Sequence, residues 1–134
     1  MNETTMTLVG NLVETPTLTY LDSGVPVAGF TIASTSRRFD RAEDRWVDAD
    51  TLFLRAQAWR DLAEHTASSL SRGDRVVATG RLKQRSFETR DGERRTVVEL
   101  EVDEIGPSLR YATAHPHKAT RGPAQDPEEI GPTA

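Results

Sequence analysis

The sequence predicts an all-β domain, a five-stranded barrel with one short helix between strands 3 and 4, followed by a disordered C-terminal tail. Three observations carry that expectation. Five stretches alternate residues with period two, as strands do. One stretch alone repeats its apolar residues at helical spacing. Gly10 and Gly80 interrupt the first and fourth strands, where a bulge or bend would close a small barrel.

Residues 5–13 read as the first strand, with Met6 and Leu8 on one face and Thr5, Thr7 and Val9 on the other. Pro16 and the turn Asp22-Ser23-Gly24 separate it from a second strand, residues 25–34, in which Phe30 and Ile32 share a face. Residues 37–50 show no apolar period and read as a long charged loop, a kind that is often functional. The third strand, residues 51–59, alternates cleanly. In Asp61-Leu62-Ala63-Glu64 an acid precedes Glu by three positions, the spacing of a capping box. Leu62, Ala63, Ala67 and Leu70 then follow helical spacing, and Gly73 supplies a stop, so a helix is expected over residues 62–72. Residues 75–87 form a long fourth strand bending at Gly80, and Arg90-Asp91-Gly92-Glu93 a hairpin turn. The fifth strand, residues 94–105, places Thr96, Val98, Leu100 and Val102 on one face. Five bent strands with a helix in that slot describe an oligonucleotide/oligosaccharide-binding (OB) barrel.

The chain has 134 residues, enough for one core. Residues 1–112 make up the barrel domain. Residues 113–134, with His115-Pro116-His117, Gly122-Pro123, Asp126-Pro127 and Gly131-Pro132, have a composition too polar and Pro/Gly-rich to bury itself, and read as a disordered tail. There is no cysteine, hence neither a disulfide nor a thiol nucleophile. No run approaches the roughly 18 apolar residues of a membrane span, and the polar N-terminus is unlike a signal peptide. A cytoplasmic protein that does not engage membranes is expected.

The third and fourth strands carry the functional signal. In the third, Leu52, Leu54, Ala56 and Ala58 share one parity, and Phe53, Arg55, Gln57 and Trp59 the other. In the fourth, Arg81, Lys83, Arg85 and Phe87 share a parity. Each strand would present a face of aromatic and basic groups. The bases of a nucleic-acid single strand are flat enough to cover such rings, and its phosphates match the cations. The net charge of −4 opposes this as an average, but distribution matters more. Arg37, Arg38, Arg41 and Arg45 gather in the charged loop, and Arg81, Lys83, Arg85, Arg90, Arg94 and Arg95 in one hairpin. Acid collects elsewhere, at Glu99, Glu101, Asp103 and Glu104. The loop adds two aromatics, Phe39 and Trp46. Six phosphate-neutralising cations would give a salt slope on the order of −4 on a single strand.

Plainer readings remain open. Phe53, Trp59 and Phe87 could form a second packing layer or a subunit contact, Trp59 above all, at a strand end near the helix. The preference for Arg over Lys suits stacking and phosphate binding, and equally a GC-rich genome. The charged loop could be a solvated run. His65 has the setting of an ordinary helix histidine, and His115 and His117 lack a third ligand. Neither a phosphate-cradling glycine loop nor a nucleophile elbow occurs, so no catalytic activity, metal or cofactor is expected.

The strings Leu8-Val9-Gly10-Asn11-Leu12, Asp61-Leu62-Ala63-Glu64 and Gly80-Arg81-Leu82, in that order and spacing, resemble bacterial single-stranded DNA-binding proteins. The run beginning Val102-Asp103-Glu104-Ile105-Gly106-Pro107 and continuing to Thr113 is similar to the actinobacterial branch. The resemblance spans about residues 4–113. It implies an OB fold, usually a homotetramer, that binds and protects single-stranded DNA without sequence readout during replication, recombination or repair. Its base-stacking positions fall on Phe39, Phe53, Trp59 and Phe87. Phosphate contacts are expected from Arg37, Arg38, Arg55, Arg81, Lys83 and Arg85. The branch further implies an extra strand after Ile105 that clamps two subunits, with Leu109 and Tyr111 near the contact; the expected location is the cytoplasm, in association with the nucleoid. Members that recruit replication and repair enzymes carry an acidic tip ending in an apolar pair. The closing residues Glu128-Glu129-Ile130-Gly131-Pro132-Thr133-Ala134 lack it, so the expectation is a short accessory paralogue with weak or no recruitment. Two other readings stay open: an OB module for single-stranded RNA, and one whose aromatic face docks a protein.

Overall fold

A computed structural model describes residues 3–119. Its elements are β1 (Thr5–Leu12), β2 (Thr17–Tyr20), β3 (Pro26–Asp40), β4 (Arg45–Trp59), α1 (Asp61–Ser69), β5 (Arg75–Glu88) and β6 (Arg94–Pro107). The strands hydrogen-bond in the order β1-β5-β6-β4-β3-β2, and β1 also pairs with β3. That last pairing closes β1, β5, β6, β4 and β3 into a five-stranded ring, the OB barrel expected. The short β2 hangs on the outside of β3 and was not anticipated. It is only four residues long, and Leu18 is its one partly buried side chain, too little pattern to register as a strand.

Closure depends on two of the strand glycines, Gly10 and Gly80. β1 pairs with β5 over Thr5–Asn11 and with β3 at Asn11 and Leu12. Gly10 sits where the strand changes partner, and a Cβ there would collide with the Ala33 carbonyl. Gly80 lies at a register shift between β5 and β6, and its missing side chain leaves room for the Glu101 carbonyl. Inside the ring, Phe30, Ile32, Val76 and Leu100 are fully buried, with Leu8, Leu12, Leu54, Ala56, Ala58, Ala78 and Val102 around them. Helix α1 packs Ala63 and Thr66 against this core. Even-numbered residues of β3, β4 and β5 thus point inward over the barrel itself. The odd-numbered ones form its outer wall.

Four expectations need correcting. Residues 37–50 are not a loop: β3 and β4 continue through them as an antiparallel arm, with Arg37 opposite Asp48, Phe39 opposite Trp46 and Asp40 opposite Arg45. An arm that leaves the barrel buries neither face, so its sequence carries no apolar alternation to read. The turn is made locally, with Asp40 Oδ1 accepting from the backbone N–H of Ala42 at 2.9 Å and Asp44 taking a positive φ of 55°. The capping box is absent as well. The N-cap residue is Arg60, at φ 61°, with no side-chain cap, and Asp61 and Glu64 both lie in the first turn, where they complement the helix dipole. The helix ends at Ser69 rather than residue 72, because Leu70 turns extended into the core. Gly73, φ 90°, serves the following loop, donating its N–H to the Leu12 carbonyl. Finally, Leu52 and Val98, placed on core faces by parity, are about half exposed. Both lie where their strands have run past the barrel's end.

From Ser108 to residue 119 no strand or helix forms in the single chain, so the clamping strand is not present there. The tail expected over 113–134 is described only to residue 119, all of it exposed. The rest of that expectation, including the closing acidic residues, lies outside the described residues.

Candidate nucleic-acid interface

The two aromatic-basic strands are not neighbours; β6 runs between them. Its parallel register with β4 sets Arg55 beside Glu99 and Gln57 beside Glu101. Its antiparallel register with β5 sets Glu99 beside Lys83 and Glu101 beside Arg81. The rows Arg55-Glu99-Lys83 and Gln57-Glu101-Arg81 therefore cross three strands on one outer face. A groove of about 400 Å³ confirms this continuity, lined by Gln57, Trp59, Lys83, Gln84, Arg85, Glu99, Leu100 and Glu101. On the other side of β4 a second, shallower groove is lined by Thr17, Thr19, Leu21, Val27, Gly29, Arg55, Gln57 and Trp59. Trp59 borders both.

The four expected stacking rings are all open to solvent: Phe53 is 63 % exposed, Phe39 42 %, Phe87 39 % and Trp59 37 %. The core is complete without them, which removes the reading that they form an internal packing layer. Phe39 is brought against Trp46 across the arm, ring centroids 5.7 Å apart at 76°, an edge-to-face pair. The guanidinium of Arg85 lies over Phe87 at 5.4 Å.

Each expected phosphate-binding cation of the barrel wall is already engaged. Arg81 Nη2 lies 3.2 Å from Asp103 Oδ1 and 3.5 Å from Glu101 Oε1, and its Nη1 is 3.5 Å from Glu3 Oε2. Lys83 Nζ sits 3.2 Å from Glu3 Oε2, and Arg85 Nε 3.1 Å from Glu99 Oε1. Arg55 Nη1 donates to Glu14 Oε1 at 2.6 Å, and its guanidinium crosses Gly29, where a Cβ would come within 2.6 Å of Nη2. The Lys83 hydrogen bond, then its charge, with help from Arg81, hold the Glu3 carboxyl below its usual range. Asp103 in turn pushes the Arg81 guanidinium further up. On the arm, Arg37 is 3.6 Å from Asp48. Arg38 is opposite Val47, so alternation sets it on the other face from Arg37 and Phe39.

The acids were expected elsewhere, and that expectation is overturned: Glu99, Glu101 and Asp103 lie among the cations. The signal was present in the sequence. With Leu100 and Val102 inward, the intervening odd positions of β6 had to face out, onto the same wall as Arg81 and Lys83. Glu3 and Glu14 left no such trace, since their contacts depend on tertiary closure. Among the described residues no group of three or more His, Cys, Asp or Glu could hold a metal ion.

The model of the single-strand binding protein family matches residues 3–108. A relative named single-stranded DNA-binding protein, from Mycolicibacterium smegmatis, is 63 % identical over 119 residues, covering 89 % of this chain and 72 % of its own length. Another of that name, from Paenarthrobacter nicotinovorans, is 57 % identical over 129 residues, covering 96 % and 76 %. Among solved structures, the small single-stranded DNA-binding protein of Streptomyces coelicolor superposes with a TM-score of 0.70 at 37 % identity, over 81 % of this chain and 97 % of that one.

Proposed function

The chain belongs to the single-strand binding protein family, and from that premise we propose that it binds and protects single-stranded DNA through the outer wall of β4, β6 and β5 together with the β3–β4 arm. Phe39, Phe53, Trp59 and Phe87 stack bases. Arg37, Arg38, Arg55, Arg81, Lys83 and Arg85 meet phosphates. The observation that carries this reading is the exposure of four aromatic rings around one cation-bearing wall, outside a core that does not need them. Stacking uses the flat face common to all bases and phosphate contacts use only charge, so binding is independent of sequence. Titration of the protein with poly-dT, following tryptophan quenching over a salt series, tests it. Absence of saturable quenching at low salt would refute it. Competition between poly-dT and poly-U separates DNA from RNA as the preferred strand.

The working unit is a homotetramer in this reading. Val9 and Val77 pair on the outer wall of β1 and β5, both about two-fifths exposed and flanked by the hydrogen-bonded pair Thr7–Thr79. That apolar strip lies at the opposite end of β5 from Phe87 and suits a subunit contact. Leu109 and Tyr111, both largely exposed, suit a second one. Light scattering at micromolar concentration reads the assembly directly. Among the described residues no helix is long and apolar enough to cross a membrane, and such a protein acts in the cytoplasm at the nucleoid, where single strands are exposed.

A further inference from the structure

The carboxylates of the wall are placed too regularly to be incidental solvation of the cations. β6 alternates a buried apolar residue with an outward acid, and each of the three β5 cations facing it is held by one or more carboxylates. The Glu99 side chain is only 13 % exposed, pinned between Arg85 and the strands on either side. A phosphate arriving at Arg81, Lys83 or Arg85 finds a carboxylate already on each cation. It competes with that carboxylate for the charge and meets it as a like charge.

We propose that Glu99, Glu101 and Asp103 of β6, with Glu3, set the affinity of this face, occupying its cations so that single strands are held more weakly and exchanged more readily than the cation count allows. The proposal rests on the reading of the wall as the DNA-binding face. Two consequences distinguish it from a simple charge average. Exposed ion pairs of this kind are worth about 1.4- to 5-fold each in an equilibrium constant, so removing one acid tightens binding by a factor of that order. Salt screens the internal pairs as well as the phosphate contacts, and the two effects oppose. The salt slope is therefore shallower than the value on the order of −4 expected for six free cations.

The test uses the full chain and oligo-dT across a salt series, with Glu99→Gln and Glu101→Gln as isosteric neutral variants. Asp22→Asn, in the β2–β3 turn on the far side of the sheet order, controls for net charge. Because Glu99 is nearly buried, Glu101→Gln keeps the test alive if Glu99→Gln fails to fold, which circular dichroism reports. Affinities about 1.4- to fivefold tighter than Asp22→Asn, with steeper salt slopes, are expected. Affinities no tighter than that control in the folded variants overturn the proposal. Phe53→Ala and Phe87→Ala run alongside. If they leave wild-type affinity unchanged, the reading of the face fails. If they weaken it and the Gln variants do not tighten it, the face stands and the role of the acids falls.

Discussion

Arg85 and Phe87 stand two residues apart on β5, and the guanidinium of the first lies over the ring of the second at 5.4 Å, while Glu99 holds the Arg85 Nε at 3.1 Å. One cation is thus shared between a π face and a carboxylate. The stacking ring and the phosphate-binding group of this site form a single unit, and removing either disturbs the other.

Phe87→Ala and Phe53→Ala are expected to weaken oligo-dT binding by about 1–3 kcal/mol each, at every salt concentration. Arg85→Ala reduces the magnitude of the salt slope by less than the roughly 0.7 of a free cation, because Glu99 already pairs with Arg85. It also costs more than that single charge, because Phe87 loses its cover. A double-mutant cycle on the two residues checks this, with an expected coupling of about 0.5–1 kcal/mol.

Gly80→Ala is expected to destabilise the fold by about 1–3 kcal/mol, since its Cβ would meet the Glu101 backbone and not a side chain free to move. Gly24→Ala, at φ 89° with open space around it, strains only a turn. Urea unfolding of the pair should rank Gly80→Ala as the more damaging.

Arg55 tests the other side of the site. Gly29→Ala places a methyl where its guanidinium lies, so the side chain swings away and its bond to Glu14 lengthens. Arg55 keeps its charge and loses its carboxylate, so the salt slope of oligo-dT binding should steepen, opposite to Arg55→Ala, with stability within about 1 kcal/mol of wild type if Arg55 alone yields. A larger stability loss would mean the backbone moves.

The pH dependence follows from Glu3, whose carboxyl is held below its ordinary value of 4.5 by Lys83 first and Arg81 second. A carboxyl lowered in the folded state contributes stability that is in full force above that ordinary value and fades as pH falls through the lowered one. The stability difference between wild type and Glu3→Gln should therefore be constant near neutrality and close below pH 4.5. Denaturation curves at successive pH values measure it. A gap that persists undiminished well below that point would contradict the pairing.

The barrel was legible because its burial is one-sided: Phe30 and Ile32, or Leu54, Ala56 and Ala58, alternate with exposed residues only where a core lies beneath. The arm was not, since from Thr35 to Thr51 both faces meet solvent and alternation carries no information. Phe53, Trp59 and Phe87 could be picked out because they sit opposite a complete set of core residues. That they share one wall could not be read strand by strand. It depends on β6 entering between β4 and β5, a long-range pairing, and the same insertion turned an apparently remote acidic strand into the partner of the cations. Arg60 as N-cap shows a different limit, tertiary geometry overriding local cap chemistry.

The ring of strands is joined very unevenly. β5 and β6 are paired over thirteen positions, whereas β1 meets β3 at two and β4 meets β6 at three. Those two short seams are where the hoop can part without unzipping a hairpin, so amides near Leu12, Ile32 and Gln57 should exchange with deuterium through smaller openings than those of mid-β5. The β4–β6 seam runs directly beneath the aromatic wall. A strand of DNA laid across that wall would therefore act as a hoop brace, slowing exchange along a line of backbone that it never touches.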